Sequence, residues 1–246
     1  VGNVTNPFEM MEKYGADPVR FYMMTNSEPW DNLKFDPEGV DEVRRKFFGT
    51  LYNTYSFLAL YANVDGFDPE TMLNQGNLAE RPEIDRWIIS KANSLIINFC
   101  KQLNDYDPTR AGRLIDNFVN DDLSNWYVRL NRKRFWGKEM DSDKLNAYQT
   151  LYSCLMTVAK LVAPFAPFYA DRLYHDLGGK MESVHLESYP MADTEAIDAE
   201  LEARMDIAQK ITSMTLALRR KVNIKVRQPL AQLMIPAIDD KQKQRI

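Results

Sequence analysis

The chain has 246 residues, 45% of them hydrophobic, and carries 31 Lys and Arg against 35 Asp and Glu for a net charge of −4. That is ample apolar material for one large or two small cores; it excludes a disordered chain and confines any affinity for a polyanion to local basic clusters. No apolar run is long enough to cross a bilayer, no signal peptide precedes the first helix, and the two cysteines, Cys100 and Cys154, suggest neither a disulfide framework nor a paired metal motif, which fits a reducing, cytoplasmic setting without a membrane partner.

Helix starts are marked by Asp-Pro pairs, in which Asp accepts from first-turn amides and Pro sits where no donor is needed. After a short helix over Pro7–Lys13, the pair at Asp17 predicts a helix to Thr25, and the pair at Asp36 a long one to Tyr61 with Val40, Val43, Phe47, Leu51, Tyr55 and Leu58 inward. Residues 62–82 hold Gly and Pro without a sustained period and read as a surface connection. A helix over Pro82–Asn104 follows, burying Ile84, Trp87, Ile88, Leu95 and Phe99, and the pair at Asp107 opens another that runs to Trp136.

That helix ends in DDLSNWYVRLNRKRFWG, residues 121–137. A wheel of 3.6 residues per turn places Leu123, Trp126, Tyr127 and Leu130 on one apolar stripe and Asn125, Arg129, Arg132 and Trp136 opposite, with Lys133 at the edge. Arg134 points toward the apolar stripe, which leaves it open as a structural ion-pair partner or a ligand contact. Guanidiniums that can grip phosphates, set beside an exposed indole that can stack on an unpaired base, suit a nucleic-acid surface; a solvated helix end with cations at the negative pole of its dipole is the plainer reading. Upstream, Leu114 and Phe118 drift off the stripe, which predicts a bend or burial on two sides.

From Ser142, Leu145, Tyr148, Tyr152, Leu155, Val158 and Val162 mark a further helix, interrupted at Pro164 and Pro167 and ended by Gly178 and Gly179. Ser183–Leu186 and Lys225–Pro236 read as short strands flanking a last helix over Thr194–Lys221. The predicted fold is mainly α, an antiparallel helix bundle with minor β-strands near the C-terminus. Between residues 210 and 238 the chain has Lys210, Arg219, Arg220, Lys221, Lys225 and Arg227 and no acid, a second basic cluster.

No phosphate loop, nucleophile elbow or metal-ligand spacing is present. His175 and His185 lack a third ligand, and Asp116, Asp121 and Asp122, the one set imaginable for magnesium and a diphosphate, are off a shared face with no facing acidic motif. From the residues themselves, the chain is a helical bundle with two basic patches and no catalytic constellation; a protein-interaction bundle without RNA function stays open.

DLSNWYVRLNRKRFWG resembles the anticodon-domain signature of the isoleucyl-tRNA synthetase family. GNVTNPFEMMEKYGADPVRFYMMTNSEPWDNLKFD is similar to the segment after that family's Lys-Met-Ser-Lys loop, ERPEIDRWIISKANSL to its first bundle helix, LVAPFAPFYADRLY to its kinked helix and NIKVRQPLAQLMIP to the entry of its C-terminal region. The Asp-Arg-Trp and Ala-Pro-Phe blocks are shared with valyl- and leucyl-type relatives, while the Ser-Asn-Trp-Tyr run and Trp30–Phe35 favour isoleucine. The resemblance implies that the parent enzyme, with ATP and magnesium, joins isoleucine to its tRNA through an aminoacyl-adenylate, that the catalytic and editing domains lie upstream, and that the fragment has no catalytic residue, metal or cofactor of its own.

It further implies three parts: a stem-contact segment over 1–36, an anticodon-binding bundle over 37–180, and a last helix with the start of a C-terminal junction over 181–246. The expected partner is the anticodon stem-loop of isoleucine tRNA, bound through Arg129, Arg132, Lys133, Arg134 and Trp136. Secondary contacts from Lys13 and Arg20 stand beside interdomain packing as their alternative, and those from Arg219, Arg220, Lys221, Lys225 and Arg227 beside docking on acidic neighbours. The parent family leads us to expect a monomer.

Overall fold

A computed structural model describes residues 5–73, 77–137, 139–236, 239–240 and 243. Contacts divide the chain into two compact units, Val1–Ile197 and Asp198–Ile246. Among the described residues every regular element is helical.

The first unit begins with α1 (Pro7–Tyr14), whose N-cap Asn6 accepts from the Phe8 amide, and α2 (Ala16–Asn26). Next, α3 (Pro37–Val43), capped by Asp36, passes through a π turn at Arg44–Phe48 into α4 (Gly49–Asp65). A short α5 (Pro69–Met72) and a 3-10 turn (Leu78–Glu80) lead to α6 (Glu83–Asn104). Then comes one long rod in three parts: α7 (Pro108–Asn117), capped by Asp107, a π-helical stretch over Phe118–Val128, and α8 (Arg129–Phe135). Helix α9 (Ser142–Val162) and α10 (Pro167–Asp176) complete the bundle, and 3-10 turns at Val184–Leu186 and Thr194–Ala196 close the unit. Helix α6 packs on α7 and α9, α8 on α9, and α2 on α7, so α2 shares the core of the bundle.

The core follows the predicted stripes. Leu51, Trp87, Ile88, Phe99, Ile115, Leu123, Tyr148 and Leu155 are buried, and Phe21 stacks on Phe47 with ring centroids 4.2 Å apart. Asp36 and Asp107 cap as expected, accepting from Glu38 N at 3.0 Å and Arg110 N at 2.9 Å, each worth about 1 kcal/mol. Asp17 does not. Gly15, at φ 91°, is the N-cap of α2, and buried Asp17 instead accepts from the Tyr169 amide at 2.6 Å, satisfying a first-turn donor of α10 across the core.

The Ala-Pro-Phe-Ala-Pro-Phe segment does separate two helices, and the freed carbonyls are met from α2. Arg20 donates to Pro164 O at 3.1 Å and Phe165 O at 3.3 Å.

Several expectations are corrected. Helix α4 extends to Asp65, four residues beyond Tyr61, before a left-handed Gly66 at φ 69° ends it. The expected surface connection contains α5 and a 3-10 turn; its residues 74–76 lie outside the described ones. Ser183–Leu186 is a capped 3-10 turn because the Ser183 side chain accepts from the His185 amide, and no strand occurs over 225–236. Thr194 opens only a 3-10 turn, and the last helix, α11 (Ala199–Lys221), starts at a separate cap, Asp198.

The drift of Leu114 and Phe118 has a definite cause. In a π-helix each amide bonds five residues back, which widens the turn. The buried set Phe118, Asp122/Leu123 and Tyr127/Val128 recurs every four to five residues through the π stretch. It then tightens to Asn131 and Phe135, four apart, in α8. A 3.6-residue wheel therefore loses phase over residues 118–128. This is why Leu130, expected inward, is 55% exposed, and why Trp126 is only half-buried while Tyr127 is fully enclosed.

Candidate nucleic-acid interface

The phase reset at residue 129 gives α8 two distinct sides. On the inner side, Phe135 packs its ring edge-on against Phe57 and Tyr148, each with centroids 5.0 Å away, and Asn131 donates to Tyr127 O at 2.8 Å. On the outer side stand Arg129, Lys133 and Trp136, spaced i, i+4, i+7, with Arg132 beside them. All four are exposed, Trp136 by 57%. Among the described residues, Arg129, Arg132 and Lys133 have no ion-pair partner, so their charge is available to an anion.

Arg134 is placed on the other side. Its guanidinium makes a bidentate pair with Asp85 (2.7 and 2.8 Å), and reaches Asp143 Oδ2 at 2.9 Å and the Asp143 carbonyl at 2.8 Å. Only 13% of the side chain is exposed and Asp85 is fully buried. The Tyr127 hydroxyl donates to the same carboxylate at 2.8 Å. Burial would lower the Arg134 pKa, but the hydrogen bonds and charge of Asp85 outweigh it and raise the value above its ordinary range. Burial, then the Asp85 charge, pushes the Tyr127 phenol well up, keeping it a neutral donor. Of the two readings left open for Arg134, the geometry fits an internal tie of α8 to α6 and α9, because every direction of its fork is already filled.

Asp85 was missed in the sequence, although a carboxylate one turn before Ile88 on an inward stripe is a signal that a buried cation must meet it. The same holds for Lys144. It is buried, bonds Asp65 Oδ2 at 2.5 Å and the Gly137 carbonyl at 2.6 Å, and so pins the turn that follows α8.

The secondary candidates separate in the same way. Arg20 donates to the carbonyls of the Pro break, which fits the packing alternative left open for it. Lys13 is exposed, with its ammonium 4.8 Å from the Tyr14 ring centroid. In the second unit Arg219 donates to Lys225 O at 2.8 Å and Gln228 O at 2.9 Å, so it is a loop clamp, while Arg220, Lys221, Lys225 and Arg227 are exposed.

Asp122 is buried with Lys91 3.4 Å away, and Asp116, half-buried, has its pKa raised by burial and then by Asp121. Among the described residues no three His, Cys, Asp or Glu side chains gather as metal ligands, and no helix is long and apolar enough to cross a membrane.

Residues 85–235 match the family model described as the anticodon-binding domain of tRNA ligase. The chain belongs to that family. The matched span runs from the buried end of the Asp85–Arg134 tie through the basic face of α8 to the second basic cluster. Over 99% of its length the chain is 64% identical to the isoleucine–tRNA ligase of Porphyromonas gingivalis, and over its whole length 64% identical to that of Bacteroides thetaiotaomicron. It spans about a fifth of these curated relatives, 21% of each. Among solved structures, an Agrobacterium radiobacter LeuRS in a ternary complex with tRNA and LeuAMS shares the fold over 81% of this chain and 22% of that one (TM-score 0.58, 18% identity). Mycobacterium tuberculosis methionyl-tRNA synthetase with methionyl-adenylate does so over 70% and 34% (TM-score 0.57, 22% identity).

Proposed function

We propose that this chain is the anticodon stem-loop-binding part of an isoleucyl-tRNA synthetase, and that the outer side of α8 meets the tRNA. The observation that carries the reading is 64% identity, over 99% of the chain, to an isoleucine–tRNA ligase. On this reading the parent enzyme attaches isoleucine to its tRNA with ATP through an aminoacyl-adenylate. ATP, magnesium and the editing activity belong to parts of that enzyme outside this chain, and the setting is cytoplasmic.

The chemistry of the face supports an RNA partner. An anticodon loop presents unpaired bases with both π-faces and pairing edges open. Trp136 offers a stacking surface, and Arg129, Arg132 and Lys133 offer positive charge that no carboxylate among the described residues has claimed. The inner side keeps that face in register. With Asp85 and Asp143 holding Arg134, α8 cannot roll without unpairing a buried charge.

The test is tRNA binding by the intact ligase that carries this chain, with isoleucine tRNA against tRNAs for valine and leucine. Preference for isoleucine tRNA that falls with Trp136→Ala supports the reading. Equal binding of all three tRNAs, unchanged in the variant, contradicts it.

A further inference from the structure

We infer that the turn following α11 is a second RNA-binding element, one that grips the sugar-phosphate backbone and reads no base. The inference rests on the tRNA-binding reading above and concerns only the second unit.

The element is built, not merely basic. At the end of α11 the chain reverses through Asn223 in the left-handed region at φ 57°, and the Ile224 amide returns to Arg219 O at 2.8 Å while that of Asn223 returns to Arg220 O at 3.2 Å. These bonds satisfy the last carbonyls of the helix. A second turn closes at once, Gln228 N to Lys225 O at 3.0 Å. Arg219 then bridges the two, donating through Nη1 to Lys225 O at 2.8 Å and Gln228 O at 2.9 Å. One guanidinium spent on two carbonyls fixes the segment that displays the others.

Those others are Arg220, Lys221, Lys225 and Arg227, all exposed and none with a partner among the described residues. From 210 to 238 the sequence has no Asp or Glu to neutralise them. The same stretch contains no Phe, Tyr or Trp, so it offers no platform on which an unpaired base could stack. Cations without an aromatic suit phosphate oxygens, and four of them outweigh the partial negative charge of the helix C-terminus on which they stand. Phosphate contacts add affinity and register but carry no sequence information. The exposed apolar neighbours Val222 and Val226 leave protein docking as the competing use, which the experiment separates.

The experiment uses the intact ligase carrying this chain and measures affinity for isoleucine tRNA and for a non-cognate tRNA across a salt series, with thermal melts. The variants are the pairs Arg220→Gln/Lys221→Gln and Lys225→Gln/Arg227→Gln, all four changes together, and the charge-keeping Arg220→Lys/Arg227→Lys. Each cation that neutralises a phosphate should lower the slope of log affinity against log salt by about 0.7–0.9. The quadruple variant should lose on the order of tenfold or more at low salt, equally for both tRNAs, while the Lys variant binds as the parent does.

Unchanged affinity and slope in the quadruple variant overturns the inference and leaves the α8 reading standing. A loss confined to the cognate tRNA overturns the backbone-only claim. A lowered melting temperature with unchanged RNA binding assigns the turn to protein docking and also overturns it. Failure of the α8 reading has a different signature: Trp136→Ala without effect on cognate preference.

Discussion

Arg132 and Arg134 are two residues apart on the same helix and have opposite fates. Arg134 is enclosed by Asp85, Asp143 and Asn131, while Arg132 faces outward without a partner among the described residues. Two steps along a helix is about 200°, so the pair samples the two sides of α8, and the comparison shows that a run of like charges need not share a role. One cation is structural because a buried carboxylate requires it. The other is available because no carboxylate among the described residues pairs with it.

The comparison can be broken first at the buried side, where effects should be largest. Arg134→Ala would strand the Asp85 carboxylate at zero exposure and should cost about 3–5 kcal/mol in chemical denaturation, against less than about 0.5 kcal/mol for Arg132→Ala. Equal costs would show that the two sides are not distinct. Next comes the Asp65–Lys144 tie beneath the turn after α8. Burial would raise the Asp65 pKa, but hydrogen bonds from Lys144 and Tyr148 outweigh it and hold the carboxyl below its ordinary value. A depressed folded value means the stabilisation is fully present above the unfolded pKa, about 3.9, and is lost as pH falls through the lower folded one. Asp65→Asn should therefore destabilise by about 1–3 kcal/mol at pH 7, with the gap to the parent shrinking in melts taken below pH 4.

A smaller effect sharpens the picture at Tyr127. Tyr127→Phe removes one donor to Asp85 while Arg134 still holds it, so a loss of about 1–2 kcal/mol is expected without a change in tRNA affinity. A large drop in tRNA binding at unchanged stability would place Tyr127 in the interface after all.

The Asp caps at 36 and 107, the Pro break and the long apolar stripes were legible because each rests on local rules that tertiary structure did not override. Gly15 replaced Asp17 as a cap because Asp17 had a use farther away, at the Tyr169 amide, which no local rule encodes. The π stretch at 118–128 was visible only as misfit, since a wheel of fixed period registers a widened turn as drift and then mis-assigns the residues around it. Leu130 and Trp126 were misread for that reason, whereas Arg129, Arg132 and Trp136 fell on the correct side. At Arg134 the wheel did point inward; its partner Asp85 lies 49 residues away, beyond the reach of any periodicity.

The measurement that bears most directly on the outer side of α8 is tRNA affinity of the intact ligase across a salt series for Arg129→Ala, Arg132→Ala and Trp136→Ala, with thermal melts on each. Trp136→Ala should weaken binding by about 1–3 kcal/mol with little change in slope. Each arginine that meets a phosphate should lower the slope by about 0.7–0.9. All three should melt as the parent does. Binding indistinguishable from the parent in all three, with Trp136→Ala melting several degrees lower, would contradict the account and make this side of α8 a solvated helix end.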